Sequence, residues 1–501
     1  MTNHVVIGID VGGSSTKSVV YSLEGSILGV GYSRYKPSQP APGIAEYSPD
    51  VITLAVEDSL RDAVAAAGIN PLRVLAITTD AMVSGTVGVD DDGRPTTAYT
   101  TTLDTRFGPD LDAMVSSHGA EVRELVGSGS PVIAAKIAWY RRTNPEQFSR
   151  TSVFLGAGGF IGGHLAGLGA AESFIDSTVL WAVGLSDTRA RKWSNYLTSA
   201  LNVPANLLPK IVDSTTVVGT LTADIALRTG LVPGIPIIAG CGDQMAGFLG
   251  ANVIGENMIG DSAGTYEVVG HGVSEFLADP MGLFDIVPSA IGDGYVQQSV
   301  VAIGGGFTRE WFETKIASKS GSEDDSELDL LAEDVALGSD GLIFVPHLGG
   351  QSSPSRPLMR GAWLGLQWHH HQGHLRRSIL EAIAFEVGAA VEAMLPNSDS
   401  SKRLVGYGGG AQSALSCQIK ADVTGLTYSS LGDIAPASLA SALIGAVAVG
   451  ALDEISSVIN EKTRIVKSFK PDRAKTSEYS SFRENYSQAI ELVGQLKNTR
   501  G

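Results

Sequence analysis

The first 80 residues alternate short apolar runs with turn-forming residues. Three of these runs have the length and the β-branched content of strands: VVIGID (5–10), KSVVYSL (17–23) and ILGVGYS (27–33). They lie too close together in sequence to be separated by helices. They therefore predict an antiparallel meander rather than a βαβ unit. A helical pattern follows from about Asp50 to Ala67, and then a strand, VLAITT. This β-β-β-α-β order is typical of the core of the actin-like ATPase fold.

A second cycle of the same kind begins near the middle of the chain. The segment NMIGDSAGTYEVVG (257–270) reads as strand, acidic-glycine turn and strand, as the opening IGIDVGGSSTKSVVY does. We therefore expect two similar α/β halves, residues 1–253 and 254–501, with a cleft between them. After about Lys470 the pattern predicts a terminal helix, and the spacing of Tyr479, Phe482 and Tyr486 indicates a packing stripe.

Composition narrows the classes of function. The chain has 501 residues, a formal charge of −17 and a pI near 5.0, without a long basic run, so nucleic-acid binding is not expected. Only two cysteines, Cys241 and Cys417, suit a reducing cytosol. No apolar stretch reaches about 18 residues and no secretory leader precedes the first strand, so a cytoplasmic protein without a membrane span is expected.

The first glycine turn, DVGGSSTK (10–17), suits a polyanion. Glycines free backbone amides for phosphate oxygens, and a carboxylate at the strand end can hold a hydrated metal ion. We predict that Asp10 lies beside the metal and that the phosphate contacts come from Gly12, Gly13, Ser14, Ser15 and Lys17. An ordinary hairpin turn is the alternative.

Two further turns follow strand patterns. Asp243 comes after IPIIAG, where a carboxylate could serve as a general base or could simply cap the following helix. Gly264 and Thr265, in GDSAGTYE, could hold the far side of the phosphates, or form another hairpin. In GYGGGAQ (406–412), three glycines before a helix make adenosine contact plausible.

Other polar residues carry weaker signals. Asp104 and Arg106, in TLDTRFG, could bind sugar hydroxyls or form a surface ion pair. The run HHHQGH (369–374) lacks cysteine or acidic neighbours in sequence, so a solvated loop is favoured over a metal site.

With these pieces in order, the chain resembles the FGGY family of carbohydrate kinases over nearly its whole length. The family's D-x-G-T-S-x-x-K, G-G-x-D, S-x-G-T-S and G-G-G-A turns stand here as DVGGSSTK, AGCGDQ, DSAGTY and GYGGGAQS. The segment GAWLGLQWHHHQGHLRRSILE (361–381) is similar to its C-terminal signature. VPHLGGQSSP (345–354) and AKIAWYRRTNPEQF (135–148) match two more family segments.

The resemblance implies two ribonuclease H-like (actin-like ATPase) domains and transfer of the ATP γ-phosphoryl group to a sugar hydroxyl, with Mg²⁺. The N-terminal domain would bind the sugar and the C-terminal domain ATP. Asp243 would be the catalytic base and, with Asp10, would lie at the metal. Nucleotide contacts are implied at Gly12, Gly13, Ser14, Gly264, Thr265, Gly409, Gly410 and Ala411. Substrate contacts are expected at Ser84, Asp104, Arg106, Asp243 and Gln244.

The departures from the family pattern concern the acceptor side. Val83-Ser84-Gly85 stands where xylulokinases carry Met-His before glycine and where glycerol kinases carry Arg-Glu. Thr102, Tyr266 and Gln351 also replace usual family residues.

We expect a pentulose such as xylulose or ribulose as substrate. A kinase for a four-carbon polyol or another sugar alcohol, and an actin-like ATP-binding sensor without catalysis, stay as alternatives. A homodimer is expected because the family is often dimeric.

Overall fold

A computed structural model of the chain describes residues 4–253, 255, 257–264, 266–302, 305–317, 326–351, 356, 359–395, 402–432 and 435–496. Two large mixed sheets organise these residues. The first sheet has six strands in the spatial order Val217–Thr220, Pro236–Gly242, Val74–Ala81, Val5–Val11, Ser15–Ser22 and Ile27–Arg34. The second has seven, in the order Asp285–Pro288, Tyr295–Ala302, Glu267–Val273, Met258–Ala263, Arg403–Tyr407, Thr427–Leu431 and Ile465–Phe469.

The two sheets repeat one topology. In the first, an antiparallel meander of three strands is followed by two parallel additions and an antiparallel edge strand. The second sheet has the same succession, with Asp285–Pro288 added beyond its meander. The predicted meander, helix and strand at the N-terminus are confirmed, and so is the second cycle. All strands of the first sheet precede residue 243, and those of the second follow residue 257. The boundary at residues 253 and 254 stays a prediction.

Helices cover the sheets, and smaller strand pairs extend the periphery. The α-helices of the described residues are Pro49–Ala67, Gly108–Val126, Val132–Thr143, Pro145–Ser149, Ala157–Ala166, Leu180–Val183, Asn195–Ala200, Ala223–Thr229, Asp243–Gly250, Gly305–Trp311, Ser326–Glu333, Gln372–Met394, Ala414–Thr424, Pro436–Ala448, Ser456–Lys462 and Arg473–Gly494. The small strand pairs are Glu46–Tyr47 with Tyr99–Thr100, Val87–Val89 with Val153–Leu155, Phe174–Asp176 with Lys210–Val212, Ser186–Asp187 with Lys192–Trp193, and Ile343–Val345 with Ala362–Leu364.

Two helices lie between the sheets and join the halves. Pro436–Ala448, from the second half, packs on the first sheet so closely that a methyl group on Gly8 would lie 2.0 Å from the carbonyl oxygen of Ser438. This helix crosses Asp243–Gly250 at Gly250, where a methyl group would lie 1.9 Å from the carbonyl oxygen of Pro436. Only glycine permits such contacts. One apolar core therefore includes residues from both halves.

The terminal helix Arg473–Gly494 forms as predicted, and its aromatic residues pack inward. Tyr479 is fully buried and Tyr486 is 5% exposed. The tyrosines contact Phe385 at ring-centroid distances of 5.9 and 5.2 Å. The interpretation of this spacing as a packing stripe is confirmed.

Candidate active site

Three aspartates meet at one edge of the first sheet. Asp10 lies near the end of the strand Val5–Val11, Asp80 near the end of Val74–Ala81, and Asp243 directly after Pro236–Gly242. These strands are parallel neighbours, and Asp10 stands opposite Asp80 in the ladder. Since the carboxyl ends of parallel strands share an edge of the sheet, the structure brings Asp10 and Asp243 together across 233 residues of sequence. Asp80 lies between them and was not predicted.

Burial raises the pKa of all three carboxyl groups, and the charge of Asp10 raises the pKa values of Asp80 and Asp243 further. Burial, offset in part by Lys17 and by a hydrogen bond with Asp80, raises the pKa of Asp10 to about 6. Burial and then the charge of Asp10 raise the pKa of Asp243 to about 7. Asp80 is fully buried, accepts a hydrogen bond from Ser441 Oγ at 2.6 Å, and has its pKa raised well above the usual value by burial and by Asp10. A hard divalent cation prefers oxygen ligands and would relieve this repulsion, so Asp10 and Asp243 fit the Mg²⁺ that the family resemblance implies.

Asp243 is the first residue of the helix Asp243–Gly250, and Gly242 is its N-cap. Asp243 is therefore not the N-cap residue itself, although its side chain does satisfy an amide of the first turn, and a role as base is compatible with this bond. Its Oδ1 accepts a hydrogen bond from the backbone amide of Gln244 at 2.7 Å, and its side chain is partly exposed. The Gln244 side chain points towards the second half, where its Nε2 lies 3.4 Å from the hydroxyl of Tyr407.

The first glycine turn is tied to the protein through its carbonyl groups. The hydroxyl of Tyr35 donates to the carbonyl oxygen of Gly12 at 2.6 Å, and that of Tyr47 donates to the carbonyl oxygen of Gly13. Gly13 and Ser14 are exposed, and a methyl group on Gly13 would meet no atom within 4 Å. The turn is a hairpin between two strands, as the alternative supposed, but its outer surface is open to a ligand. Two other predicted contacts of this turn, Ser15 and Lys17, are half-buried on the next strand.

The second glycine turn packs against the predicted adenosine turn. Gly408 has a φ of +87°, and a methyl group there would lie 2.9 Å from the carbonyl oxygen of Ala263. A methyl group on Gly410 would lie 2.8 Å from Ala263 Cβ. Gly264, next to Ala263, accepts a hydrogen bond from the amide of Gly306 at 3.0 Å. The structure thus brings Gly264, Gly409, Gly410 and the buried Ala411 together, whereas Thr265 lies outside the described residues.

The second sheet also carries an aspartate at the end of its central strand, but this one is neutralised. Lys420 Nζ lies 2.6 Å from Asp261 Oδ2 and also binds Glu267. The hydroxyl of Tyr428 donates to the same oxygen of Asp261 at 2.7 Å. Asp261 is fully buried. The second glycine turn therefore lacks a partly exposed carboxylate such as Asp10 provides at the first turn.

Asp104 and Arg106 form a pair, but not on the surface. Asp104 is 1% exposed, and its oxygens accept hydrogen bonds from the backbone amide of Ala45 at 3.1 Å and from Arg106 Nη2 at 2.6 Å. The Arg106 guanidinium also binds Glu46 and lies 4.5 Å from the centre of the Trp139 ring. The surface-pair alternative is therefore wrong. In this arrangement Asp104 orients Arg106, and the half-buried guanidinium is the more accessible member.

A buried lysine that was assigned no role supports this region. Lys136 is fully buried, and its Nζ donates to the carbonyl oxygens of Ser84 and Thr101, both at 2.7 Å. Burial lowers the pKa of Lys136 to about 7. Ser84 itself is 8% exposed and has a φ of +66°, which is uncommon for a residue other than glycine. The ammonium group therefore fixes the relative position of the two segments that carry Ser84 and Asp104.

The histidine run has an acidic partner that sequence distance concealed. His374 Nε2 lies 3.0 Å from Asp340 Oδ2, and ligand atoms of Asp340, His369 and His374 lie within 4.8 Å of one another. The imidazole of His374 accepts a hydrogen bond from the amide of His371 through Nδ1, so Nε2 carries the proton of the neutral ring. His371 and His374 therefore form a capping box at the start of the helix Gln372–Met394, and Asp340 holds the His374 ring.

Comparison with known proteins identifies the family. The model of the FGGY family of carbohydrate kinases, N-terminal domain, matches residues 5–250, and that of the C-terminal domain matches residues 274–452. The chain belongs to the FGGY family of carbohydrate kinases. It is therefore a phosphotransferase with the two-domain fold of this family, as the resemblance implied.

FGGY kinases with different names resemble this chain about equally. A xylulose kinase of Bacillus subtilis is 25% identical over 507 residues, which covers 99% of both chains. A gluconokinase of the same organism is 25% identical over 474 residues, covering 91% of this chain and 90% of its own. The crystal structure of ligand-bound xylulose kinase from Lactobacillus acidophilus has a TM-score of 0.88 at 22% identity, covering 98% of this chain and 99% of its own. These likenesses establish a sugar kinase but leave the sugar open.

None of the helices that the structure describes is both long and apolar enough to cross a membrane.

Proposed function

We propose that this kinase uses ATP and Mg²⁺ to phosphorylate a primary hydroxyl group of a pentulose such as xylulose or ribulose. The observation that carries the proposal is the environment of Asp243. Its carboxylate is partly exposed beside Asp10 at the sheet edge, with a pKa near 7, which suits a general base at neutral pH. Asp243 also contributes to raising the pKa of Tyr266, although burial is the larger cause. The residue after the proposed base, Gln244, reaches Tyr407, which directly precedes the predicted adenosine turn.

In this mechanism Asp243 orients the acceptor hydroxyl and takes up its proton as the γ-phosphoryl group is transferred. Asp10, with Asp243, would hold Mg²⁺, which supplies charge neutralisation at the phosphates when bound. The open turn at Gly12, Gly13 and Ser14 would bind phosphate oxygens through backbone amides. On the opposite side Gly264 would complete the phosphate contacts, and Gly409–Ala411 would contact adenosine.

The acceptor side rests on the segments around Ser84 and Asp104. Arg106, oriented by Asp104 and Glu46, presents a fixed guanidinium that can donate to hydroxyl oxygens. Ser84 is small and leaves room where xylulokinases have a histidine. The xylulose kinase relatives support a pentulose, and the gluconokinase relatives make gluconate the most informative competitor.

The test is a coupled ADP-release assay on purified protein with D-xylulose, D-ribulose, L-ribulose, erythritol and gluconate. We expect one pentulose to have the highest kcat/KM, because pocket shape rather than phosphate chemistry separates these acceptors. A preference for erythritol or gluconate would refute the pentulose assignment and leave the kinase assignment intact. If no acceptor stimulated ADP release although ATP bound, the sensor alternative would replace the proposal.

A further inference from the structure

Arg309 is a cation without a counter-ion among the residues that the structure describes. It lies on the helix Gly305–Trp311, and its Nη1 is buried without a hydrogen-bond partner. Arg309 as a whole is half-buried, and two more deeply buried arginines are paired: Arg376 Nε is 2.8 Å from Asp329, and Arg377 Nε is 2.9 Å from Glu381. A guanidinium stays ionised, and burying it unpaired is costly. An anion from outside the chain would therefore find an unused partner here.

The position of Arg309 indicates which anion. A methyl group on Gly409 would lie 3.6 Å from Arg309 Nη2, so the guanidinium lies directly beside the predicted adenosine turn. The start of the same helix is bonded to the second glycine turn, through the amide of Gly306 and the carbonyl oxygen of Gly264. Arg309 thus lies where the segment proposed for adenosine meets the segment proposed for the phosphates.

The chemistry of the guanidinium fits a phosphate. Its planar donors match phosphate oxygens in a bidentate fashion, whereas adenine offers few acceptors for them. The chain as a whole carries a charge of −17, so the general field would not attract a polyanion and a local cation is needed. The absence of a side chain at Gly409 leaves the guanidinium accessible from that side.

We propose that Arg309 binds the α-phosphate of the nucleotide, on the adenosine side of the transferred group. This inference rests on the proposed function, since it takes a nucleoside triphosphate as the ligand. The α-phosphate is present in both ATP and ADP and does not react. Arg309 would thus strengthen substrate and transition-state binding equally, so its loss would raise KM for ATP and leave kcat nearly unchanged.

The test compares Arg309→Met with Lys315→Met, which removes an exposed charge of the same sign shortly after this helix. Isothermal titration of the full-length protein with ADP, AMP and adenosine gives the affinities, and the coupled assay gives KM and kcat. For Arg309→Met we expect Kd for ADP and AMP to rise about 10- to 100-fold, from the loss of hydrogen bonds to a charged group. The affinity for adenosine should be unchanged. Lys315→Met should stay within about twofold of the wild type for every ligand.

Two outcomes would overturn the inference: an unchanged Kd for ADP, or an equal loss of affinity for adenosine. Should Arg309→Met unfold, Arg309→Lys replaces it, and the inference then requires a smaller loss of ADP affinity with adenosine again unaffected. The result is separable from the proposed function. If wild-type protein bound ADP but phosphorylated no sugar, the kinase proposal would fail while the Arg309 comparison could still be read.

Discussion

The substitution Asp243→Asn tests both the chemistry and the electrostatics of the carboxylate cluster. Asparagine keeps the shape of the side chain and an oxygen that can accept the hydrogen bond from Gln244, but it cannot take up a proton. General-base catalysis contributes about 10²- to 10⁴-fold, so sugar phosphorylation should fall by that factor. Affinity for ADP should stay within about twofold of the wild type. Coupled ADP release and isothermal titration measure the two quantities.

The same substitution should stabilise the protein at neutral pH. The pKa of Asp243 is about 7 in the folded chain, against an ordinary value of 3.8. The folded state therefore binds more protons than the unfolded state between these values, and this group's contribution to stability is lost as the pH rises through 7. Three pKa units correspond to about 4 kcal/mol, and partial exposure of the side chain reduces this to about 2 kcal/mol. Asparagine does not titrate and avoids the loss.

Thermal unfolding at pH 8 and pH 5, without added Mg²⁺, measures this effect. We expect Asp243→Asn to have a higher Tm than the wild type at pH 8, with the difference shrinking at pH 5. Asp112→Asn, at an exposed position on the helix Gly108–Val126, controls for the change from acid to amide. Sugar turnover within about tenfold of the wild type would refute the role as base. A Tm below that of the wild type at pH 8 would refute the electrostatic reasoning.

Three further predictions concern the pH dependence of Asp243 and the two buried lysines Lys136 and Lys420. Because Asp243 must be ionised to act as a base, kcat/KM for the sugar should fall about tenfold per pH unit below the pKa of Asp243, which burial raises to about 7 before Mg²⁺ binds and which the bound cation lowers again. A profile that stays flat down to about pH 4.5 would contradict this. Lys136→Met leaves the carbonyl oxygens of Ser84 and Thr101 without their donor. KM for the sugar should therefore rise about tenfold, with KM for ATP unchanged. Steady-state kinetics with each substrate varied measures both constants, and an equal rise of the two would contradict the prediction. Lys420→Met leaves the buried Asp261 and Glu267 without their cation, which should lower the free energy of unfolding by about 3–5 kcal/mol. The urea midpoint should fall more at pH 8 than at pH 6. Equal midpoints for variant and wild type would contradict this prediction.

The sequence predicted the elements well because each is locally determined. Strand-length apolar runs separated by glycine turns specify the meander at residues 5–34, and its repetition after residue 257 specifies the second half. Asp10 and Asp243 could be found because each ends an apolar run at a glycine turn. Asp80 also ends a strand pattern, VLAITT, and two neighbouring parallel strands would have placed it at the same edge. The signal was present, but no glycine followed it.

Other residues could not be found from local patterns. The partner of Asp80 is Ser441, 361 positions away on a helix of the other half, and Lys136 acts through main-chain carbonyl groups that carry no sequence signal. The roles of Asp104 and Arg106 depended on whether they were buried, which a charge pair two residues apart does not reveal. Similarly, Asp340 becomes the acidic neighbour of His374 only through the fold.

The duplicated fold raises the question of why the proposed metal site and the proposed base belong to one half only. The central strand of each sheet carries an aspartate just before a glycine turn, Asp10 in the first sheet and Asp261 in the second, although the metal was predicted only at Asp10 and Asp243. Among the described residues, Lys17 is the cation that lowers the pKa of Asp10, and burial with Asp80 and Asp243 nearby leaves the cluster short of positive charge. In the second half Lys420 already supplies that charge, and Tyr428 occupies the same oxygen of Asp261. An added cation therefore gains free energy at Asp10 and none at Asp261. In the proposed function the second turn therefore binds phosphate through its backbone, with Arg309 as the adjacent cation.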